Sequence, residues 1–227
     1  MQQLLIVGAS RGLGEALVRL ALERGAHVTA VVRSREALAP LETVFAQLTV
    51  LTADVRVERD LERAAHQVTT SFDVIVYNAA VHLEHDRLDV ELCDPEVLTT
   101  TFDVNATGAV RTVKWFRRSL KPKGVLVFIS SEAGGIAAAW RTSEYGYCMS
   151  KAALNMFSKL IANREAALVD GARVVALHPG WVRTAMGGQN ADLSADDSAN
   201  AILDTIHQRL EHPGPTFVDR FGAPMDW

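Results

Sequence analysis

The chain has 227 residues, of which 48% are apolar and 22% are charged, and this composition excludes a disordered or fibrous protein. Its 23 basic and 27 acidic side chains are scattered and give a net charge of −4, so we expect neither a nucleic acid nor a membrane as a partner. Cys93 and Cys148 are too few for a disulfide framework and fit a reducing compartment. The apolar run at 4–7 is too short for a secretory signal or a membrane span, so a cytoplasmic protein is expected.

Six short apolar runs predict β-strands. They contain mostly consecutive Val, Ile and Leu, the pattern of strands that are buried on both faces of a parallel sheet. Between them, apolar side chains recur three and four positions apart and predict helices. The predicted strands are 4–7, 27–32, 48–51, 74–77, 125–129 and 174–177, and the predicted helices are 14–24, 37–45, 56–70, 95–120 and 147–168.

The alternation of strands and helices predicts an α/β fold. We expect a Rossmann-type, doubly wound parallel sheet of about seven strands with helices on both faces. An eight-stranded α/β barrel shows the same alternation, but about 250 residues are typical of it and fewer strands are visible here. Because no linker or repeat interrupts the pattern, residues 1–227 are predicted to form a single domain. The polar, glycine-containing segment 187–198 predicts a mobile loop or lid.

A glycine-rich turn follows the first predicted strand and opens the first predicted helix. The sequence Gly8-Ala-Ser-Arg-Gly12-Leu-Gly14 lets the backbone turn sharply and approach a pyrophosphate, while the helix N-terminus offers free N–H groups. Its spacing differs from the usual GxGxxG dinucleotide fingerprint, so a purely structural tight turn is the alternative. The position between a strand and a helix favours nucleotide binding.

The end of the second predicted strand indicates which dinucleotide binds. Enzymes that use NAD usually have Asp or Glu there, about 20 residues after the glycines, to hold the ribose 2′-hydroxyl. Here the strand ends in Val31-Val32-Arg33-Ser34, and Arg33, helped by Arg11, would attract a 2′-phosphate instead. We therefore expect NADP in preference to NAD, with a solvated Arg33 as the structural alternative.

Tyr147 is followed by a lysine, Lys151, four residues later. On a helix these two side chains share one face. A phenol with a pKa of about 10 needs roughly 4 kcal/mol of anion stabilisation to exchange protons at neutral pH, and a nearby ammonium group supplies part of it. Taken alone, the spacing more often marks an ordinary surface pair, so the neighbouring motifs decide between the two interpretations.

Seven motifs occur in an order that resembles the short-chain dehydrogenase/reductase family over residues 4–227. Within the family, the chain is similar to the C-factor/sniffer-like carbonyl reductase branch. Four features carry this similarity: the spacing of 16 residues from Ser131 to Tyr147, the segment 178–188, Leu193-Ser194 and Trp227. Segment 137–144 is particular to this chain. The seven motifs are the glycine turn, Asp54, Asn78-Ala-Ala80 (where the family often has Gly at the third position), Asn105, Ser130-Ser131, Tyr147-x-x-x-Lys151 and Pro179-Gly180.

This resemblance implies an NADP(H)-dependent oxidoreductase that interconverts a small-molecule carbonyl and an alcohol by hydride transfer, without a metal. It implies that Tyr147 is the general acid or base, and that Lys151 lowers the pKa of Tyr147 and holds the nicotinamide ribose. Ser131 would donate to the substrate oxygen, and Asn105 would hold a water that relays protons. The implied cofactor-binding residues are Gly8, Ser10, Arg11, Gly12, Leu13, Gly14, Arg33, Ser34, Asp54, Val55, Asn78, Ala79, Ala80, Tyr147, Lys151, Pro179, Gly180, Val182 and Thr184.

Four neighbouring polar residues could be mistaken for a metal site. His82, Glu84, His85 and Asp86 lie close together in the sequence, but zinc needs three or four convergent ligands and no further ligand is evident. A solvated loop is therefore predicted.

Simpler interpretations also exist for isolated candidates near the catalytic motif. Cys148 is predicted to be a small buried side chain. Ser130 could replace Ser131 as the donor, but neighbours on a strand point to opposite faces, and the family pattern favours Ser131. Trp140 and Trp181 either shape a substrate pocket or pack.

Two questions stay open in the sequence. One is whether the chain is an enzyme or instead an NAD(P)-binding sensor or C-factor-like signalling protein. An enzyme is favoured because all four implied catalytic residues are present, namely Asn105, Ser131, Tyr147 and Lys151. A reductase of carbon–carbon double bonds or an epimerase is a further alternative. The other is assembly, because helices 95–120 and 147–168 often form a homodimer or homotetramer interface in the family but can also cover the sheet alone. Apolar side chains on the first of these helices are Val97, Phe102, Val113 and Phe116.

Overall fold

The computed structural model describes residues 2–84 and 89–227. Its strands form one parallel sheet in the order β3-β2-β1-β4-β5-β6-β7. The order reverses beside β1, as in a Rossmann-type doubly wound sheet, so the predicted fold class is confirmed. The strands are β1 Gln3–Val7, β2 His27–Val32, β3 Leu48–Thr52, β4 Phe72–Tyr77, β5 Leu120–Ile129, β6 Arg173–His178 and β7 Phe217–Asp219.

Helices cover both faces of this sheet. A π-helical segment, Asp103–Thr107, joins two of them, and short 3-10 turns occupy Arg35–Leu38, Val90–Leu92, Arg117–Ser119 and Glu132–Gly134. No helix in the described part of the chain is long and apolar enough to cross a membrane. The helices are α1 Gly12–Glu23, α2 Ala39–Val44, α3 Glu58–His66, α4 Pro95–Phe102, α5 Gly108–Phe116, α6 Tyr145–Ala166 and α7 Ala195–Glu211.

The central strands are buried on both faces, as their continuous apolar sequences predict. In β1, Leu4 and Ile6 belong to the core beneath α1 and α7, whereas Leu5 and Val7 belong to the core beneath α3, α5 and α6. All four side chains are at most 1% exposed. Each such side chain contributes about 1.5–3 kcal/mol by leaving water, so the two cores fix the order and register of the strands.

The predicted helix 95–120 is confirmed as a helical run to Ser119, but a π-helical segment that the periodicity does not reveal interrupts it. The Tyr77 hydroxyl donates a hydrogen bond to the carbonyl oxygen of Val104, which lies in this π-helical segment. The helical run then ends at Ser119, and Leu120 already pairs with Phe72 as the first residue of β5. A register shift after Phe72 separates this pair from the apolar run that predicted the strand.

The C-terminal third contains two elements that the sequence did not predict. Helix α7 begins at Ala195, so the predicted loop 187–198 is wrong in its last four residues. Ser194 caps this helix, its Oγ accepting from the Asp197 N–H at 3.0 Å. Strand β7 has only three residues, too few to give a periodic pattern, and it pairs with β6 through Phe217 and Ala176.

Candidate active site

A cavity of about 1090 Å³ opens at the carboxyl ends of the strands, where the strand order reverses. Open α/β sheets bind their ligands at this place. Ser131, Tyr147 and Lys151 lie on its wall, whereas Asn105, Gly14 and Ser34 do not. The other predicted cofactor residues on the wall are Gly8, Ser10, Arg11, Gly12, Leu13, Arg33, Asp54, Val55, Asn78, Ala79, Ala80, Pro179, Gly180, Val182 and Thr184.

The glycine turn needs its glycines for two different reasons. Gly8 and Gly12 have φ values of +83° and +56°, in the left-handed region that favours glycine. A Cβ on Gly8 would lie 2.5 Å from Cα of Ala79, and a Cβ on Gly14 would collide with the carbonyl oxygen of Gly8. Asn78 donates from Nδ2 to that same carbonyl at 2.7 Å. Gly14, which is not on the cavity wall, and Asn78 therefore fix the shape of the turn through the Gly8 carbonyl.

Positive charge surrounds the end of the cavity beside β2 and β3. Arg11 and Arg33 are exposed on the wall. Asp54 is held by Arg56, whose Nη2 lies 2.7 Å from Oδ2, and hydrogen bonds from Arg56 lower the pKa of Asp54. Ser34 donates to Glu36 outside the wall. This end of the wall therefore carries three arginines (Arg11, Arg33 and Arg56) but only one carboxylate, Asp54, which is already paired with Arg56. The excess positive charge favours binding of an anionic group here.

Tyr147 and Lys151 lie on one face of α6, as predicted. The Lys151 Nζ is 5.7 Å from the centroid of the Tyr147 ring and donates to the carbonyl oxygen of Ile129 at 2.9 Å. Burial raises the pKa of Tyr147 to about 12, opposed by a hydrogen bond with Ser131, and burial lowers the pKa of Lys151 to about 7. The expected lowering of the tyrosine pKa by Lys151 is therefore not what the structure gives, because burial of the phenol dominates.

The two neighbouring serines have different surroundings. Ser130 donates to Oδ1 of Asn155 at 2.5 Å in the buried interior. Ser131 accepts from the Ala133 N–H at 3.1 Å and is the serine whose hydroxyl acts to lower the pKa of Tyr147. The Ser131 hydroxyl is therefore the one that lies beside the phenol on the cavity wall.

Asn105 is completely buried behind the cavity rather than on its wall. Its Oδ1 accepts from the Val81 N–H at 2.8 Å, and its Nδ2 donates to the Val81 carbonyl and to Ser150 Oγ, each at 2.9 Å. With these three bonds the side chain ties the segment after β4 to α6. The predicted water relay remains a prediction, and the side chain itself has a positioning role.

The prediction of a solvated loop is wrong for His82 and Glu84. The His82 ring packs on the Tyr147 ring with centroids 4.8 Å apart, and Glu84 accepts hydrogen bonds from α6. His85 and Asp86 lie outside the described residues. No local motif could have revealed these contacts, since their partners lie more than 60 residues later in the chain.

A charged cluster that the sequence did not predict lies at the mouth of the cavity. Arg141 binds Glu132 through Nη1 and Nη2 at 2.6 and 2.8 Å, and binds Glu144 through Nε at 2.8 Å. Burial alone would raise the pKa of Glu132, but Arg141 outweighs it and the pKa is lowered. The cluster fixes segment 137–144, which carries no motif.

Two tryptophans flank the same mouth. Trp140 and Trp181 are 72% and 53% exposed, and both lie on the cavity wall, so they shape the pocket rather than pack in the core. Trp140 lies over the Arg141 guanidinium at 4.8 Å, and Trp181 donates to the Gly187 carbonyl at 2.8 Å. Cys148 nearby is half-buried, less than predicted. In residues 2–84 and 89–227, no three His, Cys, Asp or Glu side chains are grouped to hold a metal ion.

Comparison with known proteins agrees with this geometry. Residues 2–197 match the family model described as short chain dehydrogenase. The chain is 34% identical to the C-signal of Myxococcus xanthus over 168 residues, which cover 72% of this chain and 98% of the relative. A carbonyl reductase from Pseudomonas aeruginosa PAO1 in complex with NADP is 32% identical with a TM-score of 0.86, and the carbonyl reductase Sniffer of D. melanogaster is 26% identical with a TM-score of 0.91; each match covers both chains completely. This chain therefore belongs to the short-chain dehydrogenase family of oxidoreductases.

Proposed function

We propose that this protein is an NADP(H)-dependent reductase that interconverts a small-molecule carbonyl and an alcohol, with Tyr147 as the general acid and base. One observation carries the proposal: a half-buried phenol, a buried serine and a buried lysine line the same cavity as the glycine turn. A protein that only binds a dinucleotide has no need of a proton donor at that position. The binding-only alternative is therefore not favoured.

The cavity fits a dinucleotide in its volume and in the character of its wall. The left-handed glycines let the turn pack directly against the backbone of Ala79, which leaves its other side on the cavity wall. Arg11 and Arg33 would hold a 2′-phosphate, and Asp54 would not repel it because Arg56 pairs with its carboxylate. Pro179, Gly180, Val182 and Thr184 would hold the nicotinamide end, and the bound cofactor would supply the hydride.

The protein's own residues move the proton and place the substrate. With a pKa raised to about 12, Tyr147 keeps its proton at neutral pH and is ready to donate it to a carbonyl oxygen. Ser131 donates a second hydrogen bond to that oxygen and orients it between the two hydroxyls. Oxidation of the alcohol needs the phenolate, which is scarce at neutral pH.

The nearer relationships support a finer assignment. We place the chain with the C-factor/sniffer-like carbonyl reductase branch, since C-signal and Sniffer are among the proteins that it resembles. Residues 1–227 are proposed to form one domain. We also propose a homodimer or homotetramer through the helical regions 95–120 and 147–168. The outer surface of α6 supports this assembly, because it exposes the apolar side chains Met149, Met156 and Leu160.

The function is tested with the purified protein, NADPH and a panel of ketones, quinones and dicarbonyls. Turnover is followed by the absorbance of the reduced nicotinamide, and the product is identified to separate carbonyl reduction from reduction of carbon–carbon double bonds or epimerisation. We expect at least one carbonyl to be reduced to an alcohol. Tight NADPH binding without turnover of any carbonyl would overturn the proposal in favour of a sensor.

A further inference from the structure

Glu84 extends from the segment after β4 to the N-terminus of α6. Its Oε1 accepts from the Gly146 N–H at 3.0 Å, and its Oε2 accepts from the Tyr147 N–H at 2.9 Å. Both N–H groups belong to the first turn of α6, where a helix has no internal acceptors for its own donors. A carboxylate is also favoured there by the positive end of the helix dipole.

Helix α6 has no local cap of its own among the described residues. The residue before it, Glu144, has a φ of +63° and makes no capping bond with its side chain, and the first turn contains no acidic residue. Tyr147 is the third residue of the helix and lies in the turn that frays first when a cap is lost. Lys151 lies one turn further in, where its Nζ is bound to the Ile129 carbonyl.

The segment that carries Glu84 is itself anchored to the same helix. Val81 is held by the Asn105 amide, which also binds Ser150 of α6, and the His82 ring packs on the ring of Tyr147. On the side of the helix, a Cβ on Gly146 would lie 2.7 Å from Cδ2 of Leu98 and 3.3 Å from Oε2 of Glu84, so the glycine leaves room for both side chains. Both the segment that carries Glu84 and the first turn of α6 are therefore arranged to allow this contact.

We propose that Glu84 is a positioning residue that holds the Tyr147 hydroxyl in its orientation for proton transfer by capping the first turn of α6. This inference rests on the proposed role of Tyr147 as the proton donor. It assigns a function to a carboxylate far from Tyr147 in sequence and outside the family motifs. Because Lys151 and the glycine turn do not depend on this cap, losing Glu84 should impair the chemical step more than the binding of the cofactor.

The test compares Glu84→Ala and Glu84→Gln with a matched control. Asp94 caps α4 in the same manner, its Oδ1 accepting from the Glu96 N–H at 2.8 Å, but it does not lie on the cavity wall. We expect Glu84→Ala to lower kcat by about tenfold or more, since small displacements of a catalytic group are costly. Glu84→Gln, which keeps one acceptor, should lose less. Asp94→Ala should keep kcat within about twofold, and all variants should keep the Kd for NADPH within about twofold.

Amide hydrogen exchange gives a readout that does not depend on turnover. In Glu84→Ala the Gly146 and Tyr147 amides should lose protection, while amides beyond Lys151 keep theirs. An unchanged kcat, unchanged exchange of these two amides, or a loss of NADPH binding in parallel with kcat would each overturn the positioning role. If the wild-type protein reduces no carbonyl, the proposed function fails, and if Glu84→Ala keeps the protection of its first turn, the cap fails independently.

Discussion

The Lys151 ammonium nitrogen lies 5.7 Å from the centroid of the Tyr147 ring, yet its hydrogen bond goes to the Ile129 carbonyl at the end of β5. The two side chains share a helix face, but burial moves their pKa values in opposite directions, to about 12 for the phenol and about 7 for the ammonium. Burial disfavours the charged form of each group. At neutral pH the phenol of Tyr147 is therefore protonated, while the neighbouring Lys151 is close to its pKa.

Tyr147→Phe should abolish reduction of the carbonyl. The substitution removes the hydroxyl while keeping the ring that packs on His82, so the wall of the cavity is preserved. We expect kcat to fall by roughly 100-fold or more, the range typical of a lost general acid, with the Kd for NADPH changed by less than about threefold. Steady-state kinetics and fluorescence titration measure both quantities. Unchanged turnover would remove Tyr147 from the mechanism.

Lys151 should make the stability of the protein depend on pH above neutrality. Its pKa is lowered from an ordinary 10.5 to about 7 by burial, so the unfolded chain binds more protons than the folded one between these two values. The free energy of unfolding should therefore gain up to about 1.4 kcal/mol per pH unit from this group as the pH rises through that window.

The control for this prediction is Lys151→Met, which keeps a long side chain without a titratable group. Urea unfolding of the two proteins at pH 7, 8 and 9, without cofactor, isolates the contribution of the lysine. We expect the stability of the wild-type protein to rise relative to that of Lys151→Met over this range. Parallel pH dependences for the two proteins would contradict the lowered pKa.

Arg33→Ala should weaken NADPH binding more than NADH binding. The guanidinium lies exposed on the cavity wall beside Asp54, whose charge is paired with Arg56. A charge-assisted hydrogen bond to the 2′-phosphate is worth about 1.5–3 kcal/mol, so the Kd for NADPH should rise by roughly 10- to 100-fold. Arg59→Ala, which removes an exposed arginine outside the cavity, is the matched control. Equal losses of affinity for both cofactors would eliminate the phosphate site.

The parts of the site that sequence predicts best are those whose function depends on local spacing. Gly8 and Gly12 sit in a strand–turn–helix, and Tyr147 and Lys151 are one helical turn apart, so a few neighbouring letters determine where these groups lie. The continuous apolar strands likewise predict a sheet buried on both faces, because burial leaves no polar alternation.

The remaining parts of the site depend on contacts between distant segments. Glu84 meets Gly146 across 62 residues, and nothing in its own neighbourhood indicates a helix N-terminus. Arg141 lies in a segment without a motif and gains its role from Glu132, which lies in the turn after β5. Burial also reverses the expected pKa shift of Tyr147, and the extent of burial follows only from the packed fold.

Arg117→Ala should destabilise the fold without affecting the cavity. Glu165 in α6 is 1% exposed in its side chain, and Arg117 binds it at 2.9 Å through Nε, while Oε2 also accepts from the Ala172 N–H at 2.9 Å. Removing the arginine leaves the buried carboxylate with only the Ala172 N–H and the exposed Arg164, whose Nη1 lies 3.7 Å from Oε1, at a cost of up to about 3 kcal/mol. Urea unfolding should show this loss, whereas Arg118→Ala, at the exposed neighbouring position, should change stability by less than about 0.5 kcal/mol. Equal stabilities of the two variants would contradict a buried ion pair.

Gly8→Ala should remove cofactor binding. A second glycine, Gly25, separates the effect of backbone strain from the effect of a collision with Ala79. Gly8 and Gly25 have φ values of +83° and +81°, so alanine is strained at either position by about 1 kcal/mol. At Gly25 nothing lies within 4 Å of a new Cβ, whereas at Gly8 it would lie 2.5 Å from Cα of Ala79. Gly25→Ala should therefore lose only that strain energy in urea unfolding and keep the Kd for NADPH. Gly8→Ala should lose more stability than Gly25→Ala and should also lose NADPH binding, because the turn must move away from Ala79. If the two variants behave alike, the backbone conformation alone explains why residue 8 is a glycine.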